Sequence, residues 1–313
     1  MSSKDPSIPA DSRSASQTHA GETSAGHGGR QHGSAQLQPG LHIVSTPIGN
    51  LRDITLRALD TLAAADEVLA EDTRVARKLM DAHGIRAKLS AYHDHNGAER
   101  RPGLLRKLED GATIALISDA GTPLVSDPGW KLVRDAADAG IRIVPVPGAS
   151  AMLAGLVASA LPSDRFMFCG FLPVKSGQRQ REAKALASVP ATLIFYEGGS
   201  RLAACLSDLA AALGEERPAV VTRELTKLFE ETRRAPLGEL AAHYQAEGAP
   251  RGEIVILVGP PEATETSQDD IDTALRTALA DMPVKQAANT VAATFNISKR
   301  DAYQRALTLK ADG

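Results

Sequence analysis

Two cysteines in 313 residues, Cys169 and Cys205, are too few for a disulfide framework and lack metal-ligand spacing. No run of eighteen apolar residues occurs, so no transmembrane helix is expected. The N-terminal stretch has no positive segment followed by an apolar core, so no secretory signal is expected. A reduced, cytoplasmic home follows as the simplest expectation. The formal net charge of -3 excludes a uniformly basic surface, although a local basic patch would suffice to meet phosphates. Familiar site signatures are missing too. There is no G-x-x-x-x-G-K-[ST], H-E-x-x-H or G-x-S-x-G, no paired C-x-x-C, and no G-x-G-x-x-G after the first apolar run. An ordinary dinucleotide site is therefore disfavoured.

What is present has the composition of an ordinary soluble protein, 43% hydrophobic and 23% charged, and a length suited to two or three domains. Residues 1–39 are rich in Ser, Gly, His, Gln and Ala and poor in large apolar side chains, which predicts a disordered tail. Apolar runs then alternate with helical patterns. Strands are expected at Leu41–Val44, Val68–Ala70, Leu89–Tyr92, Thr113–Ile117 and Ile141–Val146, with helices between them. Asp53 is the expected cap of the first helix, which would bury Leu56, Leu59 and Leu62, and a basic helix is expected over Arg101–Leu108. After a boundary near Leu161, strands are expected at Phe166–Phe171, Thr192–Tyr196, Ala219–Arg223 and Glu253–Val258. The class is α/β throughout: one domain over 40–161, a second over 162–260, a linker at 261–269 and a helix-turn-helix-like module over 270–313.

Ser118–Gly129, SDAGTPLVSDPG, is the most informative segment. It follows a strand, breaks into two Gly/Pro turns and leads into a helix. Small residues and backbone N–H groups are thereby placed at the carboxyl end of a sheet, where open α/β folds bind ligands. Similar turns end other strands, at Pro47-Ile48-Gly49 and Pro147-Gly148-Ala149.

Nine short motifs occur in register across both halves. They include TPIGNL from Thr46, AEDTR from Ala70, HDHN from His93, the Ser118–Gly129 loop, LPSDRF from Leu161, GFLP from Gly170, FYE from Phe195 and RELTK from Arg223. Together they resemble the tetrapyrrole methylase superfamily, and within it the branch that methylates ribosomal RNA. The resemblance implies two α/β domains, S-adenosylmethionine in the cleft between them, a homodimer and no metal. It also implies 2′-O-methylation of a cytidine ribose in the decoding region of small-subunit rRNA, within the small ribosomal subunit. Carried over by motif, the cofactor would meet Pro47, Ile48, Asp119, Gly121, Thr122, Val125, Ser150, Ala151, Tyr196 and Glu197. One departure stands out: after Phe195-Tyr196-Glu197 this chain has Gly198-Gly199-Ser200-Arg201, where relatives commonly place a His before the Arg.

A ribose hydroxyl is a poor nucleophile, so a general base is expected. Asp72 and His95 are the candidates, with Arg74 orienting a carboxylate or meeting a phosphate. Glu71–Arg74 reads equally well as a helix cap with an ion pair. For RNA, Lys175, Arg179, Arg181 and Lys184 are the first choice. Arg100, Arg101, Arg106 and Lys107, and then Arg233 and Arg234, are further clusters that could equally be solvated faces. Two other readings stay open: methylation of a corrin or porphyrin precursor, and RNA binding without catalysis.

Overall fold

A computed structural model describes residues 37–262, 268–295 and 297–311. The disorder expected for the tail, most of the linker and the turn at Asn296 lie outside the described residues.

The first half contains β1 (Gly40–Val44), α1 (Leu56–Ala64), β2 (Glu67–Ala70), α2 (Thr73–Ala82), β3 (Leu89–Ala91), α3 (Asp94–Glu109), β4 (Thr113–Ile117), α4 (Trp130–Asp138) and β5 (Ile143–Val146). Its five strands are all parallel, in the order β3-β2-β4-β1-β5. The apolar runs of β1, β2 and β4 are buried on both faces, as central parallel strands require, while the outer strands β3 and β5 are half-buried. Ala115 and Ile117 of β4 pack on one side with Leu59, Leu62 and Met80 from α1 and α2. Ile114 and Leu116 pack on the other with Leu104, Leu108 and Leu132 from α3 and α4.

α5 (Ala151–Ser159) leads into the second half: β6 (Phe166–Phe171), α6 (Ser176–Ala185), β7 (Thr192–Gly198), α7 (Leu202–Leu213), β8 (Pro218–Arg223), β9 (Glu231–Pro236), α8 (Leu237–Glu247) and β10 (Glu253–Val258). The sheet order is β6-β7-β10-β8-β9, with only β6 and β7 parallel. One face carries Leu206, Leu209, Leu240 and Tyr244 from α7 and α8. The other packs Ile194, Val220, Val255 and Leu257 against Leu156 of α5 and Ile48 from the loop after β1. That layer joins the halves. α9 (Gln268–Asp281), α10 (Val284–Phe295) and α11 (Lys299–Ala311) share a core of Leu275, Val291, Ala302 and Ala306.

Two local expectations are corrected, and one strand, β9, was not expected. Thr55, not Asp53, caps α1 by accepting from the Ala58 N–H, and Leu56 is exposed. α3 starts seven residues before Arg101, because Asn96 accepts from the His93 N–H at 2.9 Å and opens the helix early. Gly97, Pro102 and Gly103 are weak helix formers and conceal that start. β9 has no apolar run at all. It is an edge strand that pairs with β8, and its sequence ETRRAP gives it the charge that keeps edges from aggregating.

Candidate active site

Three strand-end loops are tied together at the carboxyl edge of the first sheet. Thr46 and Gly121 exchange backbone hydrogen bonds of 2.8 and 3.1 Å, joining the loops after β1 and β4. The Ser45 and Thr122 hydroxyls lie 2.9 Å apart, and Thr122 Oγ1 donates to the Ala149 carbonyl at 3.3 Å. Gly148 runs so close to Ser45 that a Cβ there would sit 2.9 Å from the serine Cβ. Gly121 takes φ +77°, as the turn demands, but Leu124 and Ser126 are also left-handed at +76° and +67°. Glu224 and Thr226 do the same in the loop after β8. Four of the five left-handed non-glycine residues among the described residues thus fall in two loops, a clustering of backbone strain typical of binding sites.

Between these loops and the second sheet lies a cavity of about 440 Å3, within the range of small-molecule sites. Ile48, Asp119, Gly121, Thr122 and Val125 line it from the first half, and Ser150 and Ala151 from the start of α5. Tyr196 and Glu197 close it from β7. Of the ten residues expected to meet the cofactor, only Pro47 lies elsewhere, in an adjoining cavity. The Tyr196 hydroxyl accepts from the Met152 N–H at 3.1 Å, fastening β7 to the first turn of α5. Phe168 and Phe171 pack edge-on against its ring at centroid distances of 4.8 and 5.7 Å. The Glu197 carboxylate is turned away from solvent. It accepts from the Gly198 N–H at 2.8 Å and pairs with Arg201 at 3.0 Å, so its part in the wall is structural.

Sequence reasoning missed Glu71, Asp127, Leu225 and Glu253, which also line the cavity. Asp127 stands in a Ser-Asp-Pro-Gly string that reads as a turn, and the others come from separate segments that only folding brings together. Burial pushes the Asp127 carboxyl up to about 6; a hydrogen bond from Ser118 opposes the rise, and the charges of Glu71 and Asp119 add to it. Glu71 is raised as well, by burial and then by Asp119 and Asp94. Among the described residues, no three His, Cys, Asp or Glu side chains converge to hold a metal ion.

The expected catalytic group is placed differently. Asp72 caps α2, and Arg74 chelates its carboxylate with hydrogen bonds of 2.6 to 3.1 Å. Those hydrogen bonds hold the Asp72 carboxyl at about 2. A carboxylate so stabilised is a weak base, and neither Asp72 nor Arg74 lines the cavity. The link to the site is indirect: the Asp72 N–H donates to Asp119 Oδ1 at 3.0 Å. His95 is exposed in the first turn of α3, edge-on to His93 at 5.9 Å, and does not line the cavity either.

The basic clusters are mostly engaged within the fold. Arg179 is a correction: it is 4% exposed, pairs with Asp208 at 2.5 Å and donates to the Pro173 and Val174 carbonyls at 3.1 Å, so it cannot face RNA. Lys175, Arg181 and Lys184 are exposed on the same helix or at its cap. Arg100 and Lys107 converge on the buried Glu67, and Arg101 pairs with Asp135 at 2.7 Å.

Comparison with known proteins agrees with this layout. The family of Tetrapyrrole (Corrin/Porphyrin) Methylases matches residues 40–241, and the RsmI C-terminal HTH domain matches 265–310. A Mesorhizobium japonicum protein named ribosomal RNA small subunit methyltransferase I is 56% identical over 88% of this chain and 93% of its own. The chain belongs to the ribosomal RNA small subunit methyltransferase I family. An Escherichia coli O157:H7 member is 48% identical, over 89% of this chain and 98% of its own. Among solved structures, a cobalt precorrin-4 methyltransferase shares the fold at TM-score 0.53 and 20% identity, covering 70% of this chain and 94% of its own. A diphthine synthase does so at 0.56 and 16%, over 70% and 89%. Within the departure from the family pattern at Gly198–Ser200, Gly199 has a local cause: a Cβ there would lie 1.7 Å from the Pro250 carbonyl oxygen, whereas one on Gly198 would meet nothing within 4 Å and nothing in the structure explains Ser200. Arg201 keeps its place by donating to the Leu172 carbonyl at 2.7 Å.

Proposed function

We propose that this chain transfers a methyl group from S-adenosylmethionine to the 2′ oxygen of a cytidine ribose in the decoding region of small-subunit ribosomal RNA. The charge of the cavity carries the reading. Its wall includes Glu71, Asp119 and Asp127, together with Glu197 and Glu253, which are each paired with a cation behind the wall, and no Lys, Arg or His. Such a wall repels a phosphate-bearing ligand and attracts a cationic one. The residues fit the donor, whose sulfonium and amino groups are positive and whose adenosine can lie against Ile48, Val125, Leu225 and Val255. When bound, S-adenosylmethionine supplies an electrophilic methyl group on a sulfonium whose charge is lost on transfer.

The chain's task is alignment and removal of one proton. Loops tied to each other and to rigid strand ends can hold two reactants in line, a contribution of roughly 7–11 kcal/mol to the barrier. Asp127 is the group that takes the ribose hydroxyl proton, because it faces the cavity and its pKa of about 6 leaves it ionised yet basic at neutral pH. Asp72 and Arg74 hold the Asp119 loop in position through the Asp72 N–H. The rRNA partner and the homodimer belong to the same proposal.

The test is to incubate the protein with labelled S-adenosylmethionine and small ribosomal subunits from a strain lacking the enzyme. Label on a cytidine 2′ oxygen is expected. Label only on an added tetrapyrrole precursor, or none on RNA, sinks the reading.

A further inference from the structure

A second cavity of about 370 Å3 adjoins the acidic one and differs from it in character. Ile48, Asp119, Ala120 and Glu253 line both, so the two hollows adjoin along these residues. The far wall is one face of α2, where Val75, Ala76 and Leu79 follow at helical spacing, with Lys78 beside them. The near wall is the loop after β1, with Pro47 and Leu51.

Two of these side chains are out of place for a surface that meets only water. Leu51 and Val75 are 48% and 38% exposed, both lining the same hollow. The charges are also balanced here, Lys78 and Lys227 standing against Asp119 and Glu253, where the first cavity has carboxylates alone. Lys227 is neutralised by Glu224 at 2.8 Å and Glu253 at 3.0 Å, but Lys78 forms no ion pair among the described residues. The hollow therefore offers an apolar platform, a cation at its rim, and a wall shared with the methyl-donor cavity. These are the requirements of a single unstacked nucleotide: a flat face for the base, a positive charge for the phosphate, and a ribose within reach of the donor.

We propose that this second cavity seats the ribonucleotide to be methylated, its base against Leu51 and Val75 and its backbone phosphate at Lys78. The inference rests on the methyltransferase reading above. It places the two reactants in adjoining hollows that meet along Ile48, Asp119 and Ala120, beside Ser118, which lines this hollow and hydrogen-bonds the proton-accepting Asp127.

The variants Val75→Trp and Leu51→Trp fill the hollow from exposed positions, so the fold should tolerate them. Both should leave the melting temperature unchanged and S-adenosylhomocysteine affinity, measured by calorimetry, within about twofold of wild type. Methylation of small subunits should fall at least about 100-fold. Lys78→Ala should weaken binding of those subunits and lower the slope of log affinity against log salt by about one. Wild-type turnover by a folded Val75→Trp protein would overturn the subsite while leaving the function intact. A wild-type protein that binds cofactor but never labels RNA would remove the function itself, and the subsite with it. An unchanged salt slope in Lys78→Ala would remove the phosphate from that rim and so overturn the proposal as stated.

Discussion

Asp127 shows how much the surroundings of one carboxyl decide. In isolation it is a turn residue between a serine and a proline; in the fold it shares a cavity with Glu71 and Asp119 and is pushed up to about 6, chiefly by burial. A base must be deprotonated to act, so turnover should rise as pH climbs through about 6 and level off above it. The cationic donor should also bind more tightly over that interval, because the ionised carboxylate attracts the sulfonium. S-adenosylhomocysteine, which lacks the sulfonium charge, should show a weaker dependence. Asp127→Asn should lose turnover by roughly 100-fold or more and flatten the acid limb, with the protein still folded. A profile unchanged by the substitution would assign the base elsewhere. The same experiment on Asp72 has a different expected outcome, since its carboxyl is held at about 2 by Arg74 and contributes no ionisation near neutral pH.

Elements were legible where local chemistry alone determines them. β4 reads directly off Thr113–Ile117 because five residues buried on both faces leave an unbroken apolar run between turn residues. β9 could not be read that way, since its pairing with β8 supplies what its own side chains do not advertise. Arg179 illustrates the same limit for a side chain. Beside Lys175, Arg181 and Lys184 it looks like one more cation on a basic helix, but Asp208 waits 29 residues later on α7 and draws it inward. Ser176 and Gln180 bind the same carboxylate at 2.9 and 2.6 Å, so Asp208 fastens the whole first turn of α6. Arg179→Ala should therefore destabilise the protein by about 3–5 kcal/mol, because it leaves a buried carboxylate without its charge partner. Arg181→Ala, on the exposed face, should change stability by less than about 0.5 kcal/mol. Denaturant melts of the two variants decide the matter; equal stability would mean the buried pair contributes nothing.

At the scale of the whole molecule, the strand-end loops and the opening residues of α5 were legible because Gly, Pro and small residues recur at successive strand ends. The contribution of Leu225 and Glu253 was not, since it depends on how two sheets face each other. The same arrangement sets the electrostatics. A chain of net charge -3 with an acidic cavity cannot draw in RNA through its site, so the attraction must come from cations left unpaired elsewhere. Much of the basic side-chain supply is already engaged: Arg100 and Lys107 on Glu67, Arg101 on Asp135, Arg233 on Glu231, and Arg234 on the Ser159 carbonyl. Lys175, Arg181 and Lys184, at the cap and along α6, remain exposed. They follow closely on β6, whose Phe171 lines the cavity, so they stand at the approach to the cleft. Replacing all three by alanine should weaken binding of small subunits without altering cofactor affinity. Every phosphate that goes unmet takes roughly 0.7–0.9 off the slope of log affinity against log salt, so the triple variant should show a slope shallower by about two units or more. A weaker affinity with an unchanged slope would mean that α6 acts through shape rather than charge, and that the phosphates are met by another surface.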